Sequence, residues 1–117
     1  MIRKRVVITG LGMFCGVGKN IAEFSDALCT GRSGIQPLDL FDVAPFPSKI
    51  GSQIKGYDPR DYFDAHVARK LSRSDQFGVI AAGEALRGSG AADSYSPYDM
   101  GVSLGGGLPA CCRGRSG

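Results

Sequence analysis

No stretch of this 117-residue chain approaches the ~20 consecutive apolar residues that cross a bilayer, so no membrane-spanning helix is expected. A basic start followed by the apolar run Val6 to Val17 imitates a secretory leader. Glycines interrupt that run, however, and Phe14 precedes Cys15 where a lipoprotein processing site requires a small residue. A soluble, untargeted, cytoplasmic protein is the expectation. Basic charge is scarce too: the formal charge is +3, but without Arg113 and Arg115 twelve basic groups face eleven acidic ones. The remaining cluster, Arg3-Lys4-Arg5, is too short to form the stripe that neutralises phosphates, which argues against a nucleic-acid partner. Cys15, Cys29, Cys111 and Cys112 have neither the density nor the spacing of a disulfide framework or zinc site, and read as reduced, small apolar residues. The single histidine, His66, has no nucleophile and orienting group readable beside it and reads as a surface residue. No catalytic, metal-binding or cofactor-binding residue is assigned from these counts.

What is present suits one globular domain with 43% hydrophobic residues. The unbroken run Arg5-Val6-Val7-Ile8-Thr9 predicts a strand covered on both faces, because a half-exposed strand alternates apolar and polar side chains. It runs into the glycine-dense turn Gly10 to Gly18. Asn20 and Glu23 are spaced as a capping box, and Ile21, Phe24 and Leu28 recur at helical spacing, so a helix over about 20–30 is predicted, with Gly31 ending it in a left-handed conformation. Residues 34–47 read as an extended loop with room for a short strand, and Lys49 to Ile54 as a short edge strand.

Asp58-Pro59 predicts the start of a short helix to Phe63, with another turn over His66 to Leu71. From Ser72 to Arg87 a longer helix is predicted. Phe77, Ile80, Ala81, Ala85 and Leu86 form its buried stripe, Asp75, Gln76, Glu84 and Arg87 lie elsewhere, and Gly88 and Gly90 stop it. Its small residues, Ala81 to Gly83 and Ala85, allow close approach of a neighbouring backbone. Met100 to Leu104 reads as a second core strand, ending in Gly105-Gly106-Gly107. Strand, helix, insertion, helix, strand is an α/β order.

Two phosphate-binding motifs are imitated and fail. A dinucleotide fold needs a third glycine at position 15, which is Cys15, and its helix begins too late to place an amino terminus on the pyrophosphate. A P-loop ending at Gly18-Lys19 needs glycine at 13 and a hydroxyl residue at 20, where Met13 and Asn20 stand. A dinucleotide-binding α/β module is retained only as the weakest alternative. Cys111-Cys112 lies in a tail, residues 109–117, without ordered context.

In order and spacing the chain resembles the amino-terminal region of the β-ketoacyl-acyl-carrier-protein synthases, ketosynthase II type. The matching stretches are Arg5 to Met13, Gly31-Arg32-Ser33-Gly34-Ile35, Phe41-Asp42, Phe46 to Ile50 and Tyr57-Asp58-Pro59. They continue with Arg69 to Arg73, Asp75-Gln76-Phe77, Ala81 to Leu86 and Gly101 to Gly107. Cys15-Gly16 and Ser74 depart from the pattern.

The resemblance implies a thiolase-like layered α/β fold, of which residues 1–108 supply an incomplete amino-terminal portion of the first half. Residues 109–117 are then a non-homologous tail that reads like a shifted frame. It also implies an acyl-carrier-protein partner, a homodimer and no cofactor. The implied chemistry is acyl transfer to a cysteine, then decarboxylation and Claisen condensation, with two histidines and backbone N–H groups stabilising the oxyanions. None of Cys15, Cys29, Cys111, Cys112 or His66 stands at a catalytic position of that family, so the expectation is a truncated, inactive synthase. The alternative is a non-catalytic ketosynthase-like partner subunit. With both core strands left uncovered, poor solubility or molten behaviour is expected.

Overall fold

The computed structural model describes residues 3–106. Helix α1, Ile21–Cys29, starts where the sequence places it: the Asn20 side chain accepts from the Glu23 N–H at 2.9 Å, and Glu23 reaches back to the Lys19 N–H at 2.8 Å. The first bond satisfies a backbone donor of the opening helical turn, while the second falls on Lys19, one residue before the Asn20 amide that a full capping box would engage. Gly31, at φ 69°, turns the chain away, as expected. Strands β1, Ile35–Pro37, and β2, Ile50–Ser52, then pair antiparallel with Ile35 opposite Ser52 and Pro37 opposite Ile50. The intervening loop is fixed by Lys49, whose Nζ donates to the carbonyls of Val43 (2.8 Å) and Ala44 (2.7 Å).

A single 3₁₀ turn, Pro59–Asp61, follows its Asp58 cap, shorter than the helix to Phe63 that the sequence predicts. Helix α2, Ala65–Lys70, leads into α3, Arg73–Ser89, which opens with a reciprocal capping box between Ser72 and Asp75. Gly88 does not stop α3. The helix runs through it and ends at Gly90, whose φ of 65° is open to glycine at no steric cost. Helix α4, Ala91–Ser94, and a 3₁₀ turn, Pro97–Asp99, complete the order.

Two expected elements are absent. Residues 5–9 and 100–104 form no strand, and Val6 (92%), Ile8 (82%), Val102 (90%) and Leu104 (86%) are almost fully exposed. The physical reason is that a strand exists through its ladder. Among the described residues the only sheet is the β1–β2 pair, so these apolar runs have no partner backbone. The α/β content is accordingly helices plus a short hairpin. The radius of gyration, 17.7 Å, exceeds the about 13 Å of a compact domain of this length.

The core that does form is aromatic. Phe14 is buried with its ring centroid 5.7 Å from Tyr57, 5.6 Å from Tyr62 and 5.2 Å from Phe77. The two tyrosine contacts are edge-to-face, a geometry favourable beyond the area buried. Arg73, on the first turn of α3, lies 5.3 Å from the centroids of both Tyr57 and Phe77, and donates to the Ile54 carbonyl at 3.1 Å. One side chain therefore fastens the segment after β2 to α3.

The stripe expected on α3 needs two corrections. Leu86 is exposed, and Gln76, expected off the stripe, is the helix's buried residue. The burial holds because every polar atom of its amide is used. Nε2 donates to the carbonyls of Ala68 (2.9 Å) and Leu71 (3.3 Å), and Oε1 accepts from the Tyr57 hydroxyl at 2.7 Å.

Candidate functional site

The glycine junction is the part of the sequence most open to a ligand-binding reading, and here it is filled by protein. A Cβ on Gly12 would fall on the carbonyl oxygen of Ala81, and one on Gly10 on the carbonyl oxygen of Ala85, with Ser89 Cβ at 2.8 Å. Both glycines are therefore sites of close backbone approach to α3, met by the small-residue face expected on that helix. That space is taken by α3 itself.

Two of the backbone donors that an anion could use are also taken. Glu84, midway along α3, accepts the Met13 N–H through Oε2 and the Ile21 N–H through Oε1, each at 2.9 Å. A single carboxylate thus ties the glycine turn and the first turn of α1 to α3, favoured further by the positive end of the α1 dipole. The dinucleotide reading fails on this geometry.

Those two backbone donors, Ile21 foremost, hold the Glu84 carboxyl below its ordinary value of 4.5, against a partial-burial effect of opposite sign. A carboxyl whose folded pKa is depressed contributes stability that is present above about 4.5 and lost as pH falls through the lower folded value. Asp39 is lowered by its hydrogen bond to Lys55, and Asp58 by Arg60, in the same direction. We predict that the Met13 and Ile21 amide resonances titrate together in NMR with a midpoint below 4.5, and that Glu84→Gln abolishes this shared transition. Independent titration of the two amides would contradict the bridge.

Beside the turn lies a groove of about 700 Å³, lined by Cys15, Lys19, Arg32, Gln53 and Lys55 among others. Its cations are already engaged. Lys19 Nζ donates to the Gly56 carbonyl at 3.0 Å, Arg32 to the Val17 carbonyl at 3.1 Å, and Lys55 pairs with Asp39 at 2.6 Å. The buried Gln53 holds the floor through Asp39 Oδ1, at 2.6 Å, and the Pro37 carbonyl.

The groups weighed for catalysis do not converge. Cys15 is half-buried in the turn, where its backbone bridges to Gly18; Cys29 is exposed at the end of α1, and His66 is exposed on the first turn of α2. No hydrogen bond among the described residues joins a cysteine sulfur to the imidazole, and no cluster of three His, Cys, Asp or Glu residues could hold a metal there. Cys111 and Cys112 lie outside the described residues. Among the described residues no helix is long and apolar enough to cross a membrane. Sequence reasoning missed the bridging role of Glu84. The available signal was an acid set inside a run of small residues on a face expected to meet backbone.

Comparison with known proteins agrees with this arrangement. The family model described as "Beta-ketoacyl synthase, N-terminal domain" matches residues 3–110. The 3-oxoacyl-[acyl-carrier-protein] synthase 2 of Vibrio cholerae is 34% identical over 109 residues, covering 92% of this chain and 26% of the relative. The tetracenomycin polyketide synthase ketoacyl synthase alpha subunit of Streptomyces glaucescens is 38% identical over 104 residues, covering 87% and 24%. Among solved structures, the ishigamide ketosynthase/chain length factor superposes with a TM-score of 0.70 at 28% identity, covering 80% of this chain and 23% of that one. The chain thus spans about a quarter of the length of these relatives. A family model that matches nearly the whole chain, with relatives more than 30% identical along it, establishes the lineage: the chain belongs to the β-ketoacyl synthase family of fatty-acid and polyketide synthesis.

Proposed function

We propose that this chain is the amino-terminal portion of the scaffold of a β-ketoacyl-acyl-carrier-protein synthase, and that on its own it does not condense acyl groups. The observation that carries this reading is the exposure of Val6, Ile8, Val102 and Leu104. These residues belong to the stretches that match the family's core, yet nothing in the described structure covers them. In this reading residues 1–108 form the family portion and residues 109–117 a tail that lies almost wholly beyond it, the family match reaching residue 110. Supporting inactivity, the described thiols and the imidazole are not assembled into a nucleophile, base and oxyanion site, so no group here activates a cysteine or stabilises a tetrahedral intermediate. The whole family protein would use acyl-carrier protein and a second subunit; this portion supplies framework for them.

The test is acylation. Incubated with a radiolabelled acyl-carrier-protein thioester, the chain is expected to give no hydroxylamine-sensitive label on any cysteine, under conditions where the Vibrio cholerae relative labels fully. Stoichiometric labelling of Cys15 or Cys29 would overturn the reading. A second reading, a non-catalytic partner subunit, is favoured by the likeness to a ketosynthase/chain length factor structure. It predicts association with an intact ketosynthase that survives alkylation of every thiol.

A further inference from the structure

We propose that the groove beside the glycine turn is a binding site for a small molecule carrying two adjacent anionic groups, a diphosphate ester by chemical class, held between Lys19 and Arg32. Its walls all belong to the described residues, and it stands apart from the family reading.

Being engaged does not neutralise a cation. Lys55 is compensated, since its ammonium pairs with the Asp39 carboxylate at 2.6 Å. Lys19 and Arg32 are not: Nζ of Lys19 rests on the Gly56 carbonyl at 3.0 Å and Nη2 of Arg32 on the Val17 carbonyl at 3.1 Å, both neutral acceptors. A carbonyl fixes where such a cation points and leaves its charge intact. Two full positive charges therefore line one cleft, and among its lining side chains only the Glu23 carboxylate has the opposite sign. That carboxylate is turned in part to the backbone, its Oε2 accepting the Lys19 N–H at 2.8 Å. Cations gathered in a cleft attract an anion more strongly than the same charges in open water. Already ordered by their carbonyls, they lose little side-chain freedom when it arrives.

Donor capacity is left over as well. Nε and Nη1 of Arg32 make no hydrogen bond among the described residues, and Lys19 Nζ uses one of its ammonium protons. Ser33 Oγ accepts the Ile35 N–H at 3.1 Å and does not donate its own proton. A guanidinium fork meets phosphate oxygens through parallel N–H bonds, and an ammonium adds a point charge beside it. The groove, at about 700 Å³, falls within the range of about 300–1,000 Å³ typical of ligand clefts. It exceeds what one phosphate fills, which leaves room for two anionic groups and the organic part they are joined to.

The test titrates the full chain with inorganic pyrophosphate, free of divalent cations and at fixed ionic strength, by calorimetry and by the rate at which iodoacetamide alkylates each cysteine. One-to-one binding is expected, about tenfold or more tighter than that of inorganic phosphate or succinate, and weaker as salt is raised. Cys15, which lines the groove, is expected to react roughly fivefold or more slowly when the site is filled, while the exposed Cys29 keeps its rate. Lys19→Gln and Arg32→Gln are each expected to weaken binding about tenfold or more. Glu23→Gln keeps an acceptor for the Lys19 N–H and removes the like charge, so it is expected to tighten binding severalfold. That gain cannot come from a folding defect, and it therefore reports on the site even where loss of Arg32 loosens the turn. Lys70→Gln, an equal loss of charge on the exposed end of α2, is expected to change nothing. The proposal falls if pyrophosphate does not saturate, if phosphate or succinate binds as tightly, if Cys15 and Cys29 are protected alike, or if Glu23→Gln fails to tighten binding. It falls equally if Lys70→Gln weakens binding as much as Arg32→Gln, which would make the attraction one of net charge alone.

Discussion

Gly12→Val is expected to detach the glycine turn from α3. The added Cβ would fall on the Ala81 carbonyl oxygen, with the Ala81 carbonyl carbon at 2.8 Å and the Ala85 nitrogen at 2.9 Å. These are backbone atoms of a helix, so no rotamer change makes room. Overpacking of this kind costs about 3 kcal/mol or more, the upper end of the usual range, which corresponds to roughly hundredfold faster amide exchange in residues 10–14 and 81–89. Gly78→Ala supplies the control: a Cβ there meets nothing within 4 Å, and better helix propensity is expected to stabilise α3 by about 1 kcal/mol. Equal effects of the two substitutions would show that the turn does not rest on the helix.

The second large effect is expected from Gln76→Leu. Leucine fits the volume but leaves the carbonyls of Ala68 and Leu71 and the hydroxyl of Tyr57 without their partner. Each buried polar group abandoned in this way costs about 1–3 kcal/mol, although α2 is short enough to shift and recover part of it. We expect early loss of the near-ultraviolet tyrosine signal on heating, ahead of the helical signal. Gln76→Glu separates hydrogen bonding from packing, since a carboxylate accepts from Tyr57 but cannot donate to the two carbonyls. Its defect should be greatest at neutral pH and lessen on acidification, when a protonated carboxyl donates to one of them. An unchanged tyrosine signal in both variants would mean that Gln76 does not organise this cluster.

Elements whose cause lies within a few residues were legible in the sequence. The caps at Asn20 and Asp58, the left-handed Gly31 and the short strand at 50–52 are set by local hydrogen bonds and backbone preference. The small-residue face of α3 was legible as well, because only a close neighbour explains it. The strands at 5–9 and 100–104 were misread for the opposite reason, since their composition reports burial between layers, whereas a ladder requires a partner many residues away. Gln76 and Glu84 were hidden by their polarity: a periodicity argument assigns polar residues to solvent, while their partners sit on other segments.

The Glu84 bridge has a consequence for the order of events on the ribosome. Its two partners lie 63 and 71 residues earlier in the chain. At about 5–20 residues per second, the glycine turn at Met13 waits for roughly 4–14 seconds before the carboxylate that fastens it has even been translated, and slower translation of the stretch between Ile21 and Glu84 would lengthen that interval.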